Sequence, residues 1–129
     1  MNTKICTDVN QSKKLIELGI PKNTADMHYS TWTIVSEDGE FIVSVSQQGE
    51  TIEELQKEYG NQIIPAWSLD ALLNIINTNY YTTLYHDGIA WNIDIIHHDN
   101  VKEKHSVYAN TPVDACYEMI LKLKNLSLL

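Results

Sequence analysis

Two Asp-Gly pairs constrain the fold of this 129-residue chain more than any other feature of its sequence. The first pair, Asp38-Gly39, lies between residues 30–36 and residues 40–46, and apolar and polar side chains alternate along both segments. The second pair, Asp87-Gly88, divides another alternating region in the same way. An Asp-Gly pair in this position is a strong hairpin signal, because both residues tolerate the backbone of a two-residue turn. The sequence therefore predicts two antiparallel hairpins.

The first hairpin has one register that separates apolar from polar side chains. If the Asp-Gly pair forms the loop, Trp32 lies opposite Val45, and Ile34 then lies opposite Val43. A slip of one residue would move every side chain to the other face, so the pattern itself selects this register. The apolar face consists of Trp32, Ile34, Phe41, Val43 and Val45. The opposite face consists of Thr33, Val35, Ile42, Ser44 and Ser46.

The second hairpin follows the same logic. A two-residue loop places Leu84 opposite Trp91, and Tyr80 then lies opposite Ile95. The residues of its second strand that face the core are Trp91, Ile93 and Ile95. The residues that face away from the core are Tyr81, Thr83, Tyr85, Ala90, Asn92 and Asp94.

A third strand is predicted near residues 102–108, after a return through Asp99-Asn100. Its register has two alternatives. A two-residue loop sets His105 opposite Asp94, whereas a longer loop sets His105 opposite Ile95 and turns Val107 inward. Both alternatives remain open from the sequence.

Cap residues mark the first two of four predicted helices. The first helix covers residues 8–18, with Thr7 as its N-cap and Gly19 just after its C-terminus. Residues 51–54, Thr-Ile-Glu-Glu, form a capping box that opens a second helix, which ends at Gly60.

The other two helices complete the predicted order α-ββ-αα-βββ-α. Ser68 caps a helix over residues 69–77, and Thr111 caps a last helix that begins at Pro112. Hairpins dominate this order, so the predicted class is α+β, with a mostly antiparallel sheet of about five strands and four helices. The length predicts a single domain over residues 1–129.

The charge of the chain argues against direct nucleic-acid binding. The net charge is −8, all nine basic residues are lysines, and there is no arginine. Binding to a phosphate backbone depends on cationic side chains, and arginine is the main bidentate reader of guanine. Residues 26–70 alone contain nine acids and one lysine. This surplus either keeps the protein soluble or forms an acidic face that mimics a nucleic acid; that face would contain Glu37, Glu40, Glu50, Glu54 and Glu58.

No catalytic, metal or cofactor motif occurs in the chain. His97 and His98 are neighbours on a strand and point to opposite faces, so they cannot both bind one metal ion without a bend. His86, His98 and His105 could approach one another across the sheet, but partly exposed strand-end histidines are the better interpretation. We therefore predict no catalytic residues, no metal and no cofactor. The alternative is a small-molecule-binding protein or enzyme with a pocket beside the histidines, Trp67 and Tyr80.

The sheet face away from the helices is the most informative predicted surface. Tyrosine supplies a large contact area at low entropic cost, and small polar residues adapt their hydrogen bonds to a partner. The same composition also suits an ordinary solvated strand face. The predicted binding face contains Thr33, Val35, Ile42, Ser44, Tyr81, Thr83, Tyr85, Asn92 and Asp94.

Four short segments resemble a family of small phage and mobile-element proteins of gut Bacteroidetes. The segments are residues 5–7 (Ile-Cys-Thr), 25–27 (Ala-Asp-Met), 65–69 (Pro-Ala-Trp-Ser-Leu) and 112–116 (Pro-Val-Asp-Ala-Cys). The resemblance implies a bacterial cytoplasmic or virion-associated setting and an accessory role. It carries over no catalytic residues.

Together these features predict a non-enzymatic accessory protein that binds a host or virion protein. The longest apolar runs are too short for a membrane-spanning helix, and residues 1–6 lack the apolar core of a signal peptide, so no membrane partner is expected. Apolar side chains such as Val35, Ile42, Tyr81 and Tyr85 on one sheet face also predict a homodimer through that face.

Overall fold

The computed structural model describes residues 4–30, 42–45, 54, 56–57 and 63–129. The chain is α+β, and its described strands form two antiparallel sheets of three strands each. It divides into two compact units, which we call the N-terminal unit (Cys6–Ser68) and the C-terminal unit (Met1–Ile5 with Leu69–Leu129). The prediction of one sheet of about five strands is not confirmed for the described residues, because their strands belong to two separate sheets.

Helix α1 of the N-terminal unit spans Val9–Glu17, and its N-cap is Asp8, one residue later than predicted. The Asp8 carboxylate accepts from the Gln11 N–H at 2.7 Å, and the Gln11 side chain accepts from the Asp8 N–H at 3.0 Å. Thr7 is not the cap because its buried hydroxyl accepts instead from the Trp67 backbone N–H at 3.1 Å. At the other end Gly19 has φ +90°, which is the left-handed conformation expected after a helix.

The N-terminal sheet has the strand order β2-β1-β3, with β1 at Met27–Ser30, β2 at Ile42–Val45 and β3 at Ile63–Ala66. A short 3-10 helix, Lys22–Thr24, precedes it. Val45 lies opposite Met27, so the predicted pairing of Val45 with Trp32 is wrong. Strand β1 begins at Met27, whereas the alternating segment in the sequence suggested a start at residue 30. The earlier start is stabilised because β1 pairs with a strand on each side and buries Met27 and Tyr29.

Pro65 lies opposite His28 in the β1–β3 pair, and β3 is an edge strand of the described sheet, which is where a strand tolerates proline. The predicted turn at Asp38-Gly39 lies outside the described residues. The predicted helix over residues 51–60 also lies mostly outside them, although Glu54, Gln56 and Lys57 are described and helical.

The C-terminal unit alternates helix and sheet. Helix α2 spans Leu69–Asn77, as predicted. Strands β4 (Tyr80–His86), β5 (Trp91–His97) and β6 (Asn100–Ala109) form a sheet in that order. Helix α3 (Pro112–Asn125) follows, and its predicted N-cap Thr111 accepts from the Asp114 N–H at 3.0 Å.

The β4–β5 loop contains four residues, so the predicted two-residue loop is wrong. His86 lies opposite Trp91, and Leu84 lies opposite Ile93, a shift of two positions from the prediction. The Asp87 carboxylate accepts from the N–H groups of Ile89 and Ala90, both at 2.9 Å, and so closes the wider turn. These backbone bonds hold the pKa of Asp87 at about 2. A shift of two leaves the side chains that remain in the strands on their predicted faces, whereas Ala90, predicted on the outward face, lies in the loop.

The β5–β6 pairing decides between the two predicted registers. His105 lies opposite Ile95, and Val107 lies opposite Ile93, so the register of the second alternative is confirmed. Its longer loop is not, because only residues 98–99 join β5 to β6. A register irregularity falls between Ile96 and His97, near the start of the loop.

Helices α2 and α3 pack against one face of the C-terminal sheet. That face buries Tyr80, Ile93 and Ile95, which confirms the inward direction predicted for Ile93 and Ile95. The buried stripe of α3 includes Cys116, a free thiol whose pKa burial raises to about 12. In the part of the chain that the structure describes, no helix combines the length and apolar character needed to cross a membrane.

Candidate binding face

The opposite face of the C-terminal sheet carries three rows of side chains, which we call the tyrosine face. Residues directly opposite each other in antiparallel strands share a face, so the register places one residue of each strand in every row. The rows across β4, β5 and β6 are Tyr85–Asn92–Tyr108, Thr83–Asp94–Ser106 and Tyr81–Ile96–Lys104.

Tyrosines occupy three of the four corners of this face. Tyr81 is 66% exposed, Tyr85 is 42% exposed and Tyr108 is 74% exposed. Lys104 occupies the fourth corner. Large aromatic side chains normally bury most of their surface, so three exposed tyrosines on one small face mark a surface suited to a partner.

Asp94 lies at the centre of the tyrosine face, and its side chain is half-buried. The Tyr85 hydroxyl hydrogen-bonds to the Asp94 carboxylate, and this bond is the main reason that the pKa of Tyr85 is raised. At one corner the ring of His98 packs on Tyr81 with 4.4 Å between ring centroids. The centre of the face therefore carries a carboxylate, and three of the four corners are aromatic.

Five of the nine residues predicted for the binding face lie together here: Tyr81, Thr83, Tyr85, Asn92 and Asp94. Ile42 and Ser44 lie instead in β2 of the N-terminal sheet, opposite Ser30 and His28. Thr33 and Val35 lie outside the described residues. The prediction combined two hairpins into one surface, whereas the hairpins belong to separate sheets.

The sequence prediction missed Ile96, Lys104, Ser106 and Tyr108. Three of them belong to β6, for which the sequence left two registers open. Because side chains alternate between the two faces of a strand, Tyr108 lies on this face only in the register that sets His105 opposite Ile95. The alternation of Lys104, Ser106 and Tyr108 with His105 and Val107 was the available signal.

Of the predicted acidic face, Glu54 is described and exposed. Glu37, Glu40, Glu50 and Glu58 lie outside the described residues.

The histidines predicted to approach one another are spread along the sheet. His86 ends β4 and contacts the Trp91 ring, His98 packs on Tyr81, and His105 lies on the helix-covered face. His105 Nε2 lies 3.5 Å from Glu103 Oε2. Across the described residues, no three histidine, cysteine, aspartate or glutamate side chains are grouped as a metal site requires.

Trp67 and Tyr80, which were predicted to line a pocket, lie in different units. Trp67 is buried in the N-terminal unit, where its indole N–H donates to the Thr24 hydroxyl at 2.9 Å. That unit has a groove of about 340 Å³ that is lined by two lysines, one glutamine and four apolar residues. The groove is lined by Lys13, Ile16, Lys22, Gln56, Ile63, Ile64 and Pro65.

The chain was compared with protein-family models, curated proteins and solved structures, and none of the three comparisons found a match.

Proposed function

We propose that this protein is a non-enzymatic binding protein that engages another protein through the tyrosine face. The observation that carries the proposal is the arrangement of Tyr81, Tyr85 and Tyr108 at the corners of a regular three-stranded sheet. Tyrosine is enriched at protein interfaces because it combines a large rigid surface with a hydrogen-bonding hydroxyl.

The packing of the sheet supports this assignment. Helices α2 and α3 cover the opposite face, so the backbone that carries the tyrosines is held by a buried core. A face supported in this way needs little reorganisation when it binds, which lowers the entropic cost of association. The resemblance to phage and mobile-element proteins makes a host or virion protein the expected class of partner.

An affinity experiment with variants of the face tests the proposal. The immobilised protein is exposed to lysate of Bacteroidetes cells, and a captured protein is identified, purified and titrated against the wild type. We expect Tyr108→Ser and Tyr81→Ser to weaken that purified interaction at least tenfold. Glu118→Gln, an exposed change on α3, should leave it unchanged. Equal binding by the tyrosine variants would contradict the proposal.

Self-association through the same face is the second candidate, since Tyr81 and Tyr85 expose aromatic surface. Light scattering at micromolar concentration measures it directly. A mass near 14.7 kDa rejects the homodimer. If a dimer forms through this face, replacing both tyrosines with lysine should return the mass to that of the monomer.

A further inference from the structure

We propose that the tyrosine face recognises a cationic side chain, an arginine presented by the partner, at Asp94 between Tyr85 and Tyr108. The inference rests on the proposed function and names the chemistry of its partner. Its basis is the position of one carboxylate at the centre of a face that has tyrosines at three of its four corners.

The register determines the spacing of the groups. Neighbouring strands lie about 4.8 Å apart, so the backbones of Tyr85 and Tyr108, two strands apart, are separated by roughly 10 Å. Both tyrosines are diagonal neighbours of Asp94, at a separation that long aromatic side chains can reach. A planar guanidinium above Asn92 would therefore have an aromatic ring on each side and a carboxylate at one edge.

The chemistry of these groups favours arginine. A guanidinium forms paired hydrogen bonds to a carboxylate and also stacks on aromatic rings. The Asp94 carboxylate raises the pKa of the nearby Tyr85 hydroxyl, and its two oxygens offer several acceptor positions to a guanidinium. Half-burial of Asp94 reduces the screening of its charge by water.

The other charges on the face are consistent with this assignment. Lys104 occupies the remaining corner of the face. Both Lys104 and Asp94 are among the described residues, and they form no ion pair with each other within 4.0 Å. A second copy stacked face to face about a central two-fold axis would bring two Asp94 carboxylates together, which is unfavourable. A partner with a positive group avoids this repulsion.

A peptide titration tests the inference independently of the natural partner. A capped Gly-Arg-Gly peptide is added to the ¹⁵N-labelled full chain, and the same peptide with citrulline, the neutral isostere of arginine, is the matched ligand control. We expect saturable shifts at the amides of Asn92, Asp94 and Tyr108 with the arginine peptide. Asp94→Asn should weaken this binding about tenfold or more, because it removes a charge-assisted hydrogen-bond acceptor.

Glu118→Gln is the matched protein control, since it removes one acidic charge from α3 and should bind the arginine peptide like the wild type. Unchanged shifts across the buried sheet face verify that Asp94→Asn is folded. Equal binding of the citrulline peptide, unaltered binding by Asp94→Asn, or no saturable shift would overturn the inference. If Tyr108→Ser weakens the natural partner while Asp94→Asn does not, the proposed function stands and the arginine inference fails.

Discussion

The Tyr80 hydroxyl donates a hydrogen bond to Glu103 Oε2 over 2.5 Å, which joins β4 to β6 across the intervening strand. The ring of His97 stands edge-on to Tyr80 with 5.2 Å between centroids, and Tyr80 itself is buried. Burial, followed by the bond to Glu103, raises the pKa of Tyr80 to about 12. The same hydroxyl is the largest cause of the lowered pKa of Glu103.

This pair predicts a loss of stability at alkaline pH. Because the folded state raises the pKa of Tyr80 from its ordinary value of 10.0 to about 12, its contribution is complete below pH 10 and is lost as the pH rises towards 12. Urea unfolding across this range should show a steeper loss for the wild type than for Tyr80→Phe. Tyr108→Phe, at an exposed position, should follow the wild type. Identical pH profiles for all three proteins would contradict the prediction.

Replacement of Ile93 should distinguish the two faces of the C-terminal sheet. Ile93 is fully buried against the helices, so Ile93→Ala should lower the free energy of unfolding by about 3 kcal/mol. Ile96 lies on the tyrosine face, and Ile96→Ala should cost about 1 kcal/mol or less. Urea denaturation followed by circular dichroism measures both values. Equal losses would show that the helices do not cover the assigned face.

Thr111 should stabilise α3 through its side-chain oxygen. Thr111→Ala removes the acceptor of the Asp114 N–H and should lower the free energy of unfolding by about 1 kcal/mol. Thr111→Ser keeps that acceptor and should remain close to the wild type. Chemical denaturation of both variants checks the prediction, which fails if serine and alanine are equally destabilising.

Gly19 should be required for its backbone conformation alone. Its φ is +90°, and a Cβ at this position would meet nothing within 4 Å. Gly19→Ala should therefore cost about 1 kcal/mol of stability through strain in the left-handed region, without a steric clash. Gly19→Asn should cost less, because asparagine adopts this region more readily. Thermal and urea unfolding measure the difference, and an alanine variant as stable as the wild type would refute the account.

The sequence predicted well those features that depend on neighbouring residues. The bounds of α2, the N-cap Thr111 and the positive φ of Gly19 follow from capping chemistry within a few residues. It misplaced the N-cap of α1 because Thr7 is held by a backbone group far along the chain, the Trp67 N–H. Local capping preference was outweighed there by a buried tertiary hydrogen bond.

The sequence alone determined which side chains share a strand face, whereas the tertiary structure decided which strands meet. Tyr81, Thr83 and Tyr85 share a face because side chains alternate along any strand, and this parity survived the two-residue shift caused by Asp87. Tyr108 joined them only through the pairing of β5 with β6, and Ile42 was separated from them by the formation of a second sheet. Alternation is a property of the local backbone. Strand pairing depends instead on contacts between segments that are far apart in the sequence, and the residues near a strand do not show which of these contacts has the lowest free energy.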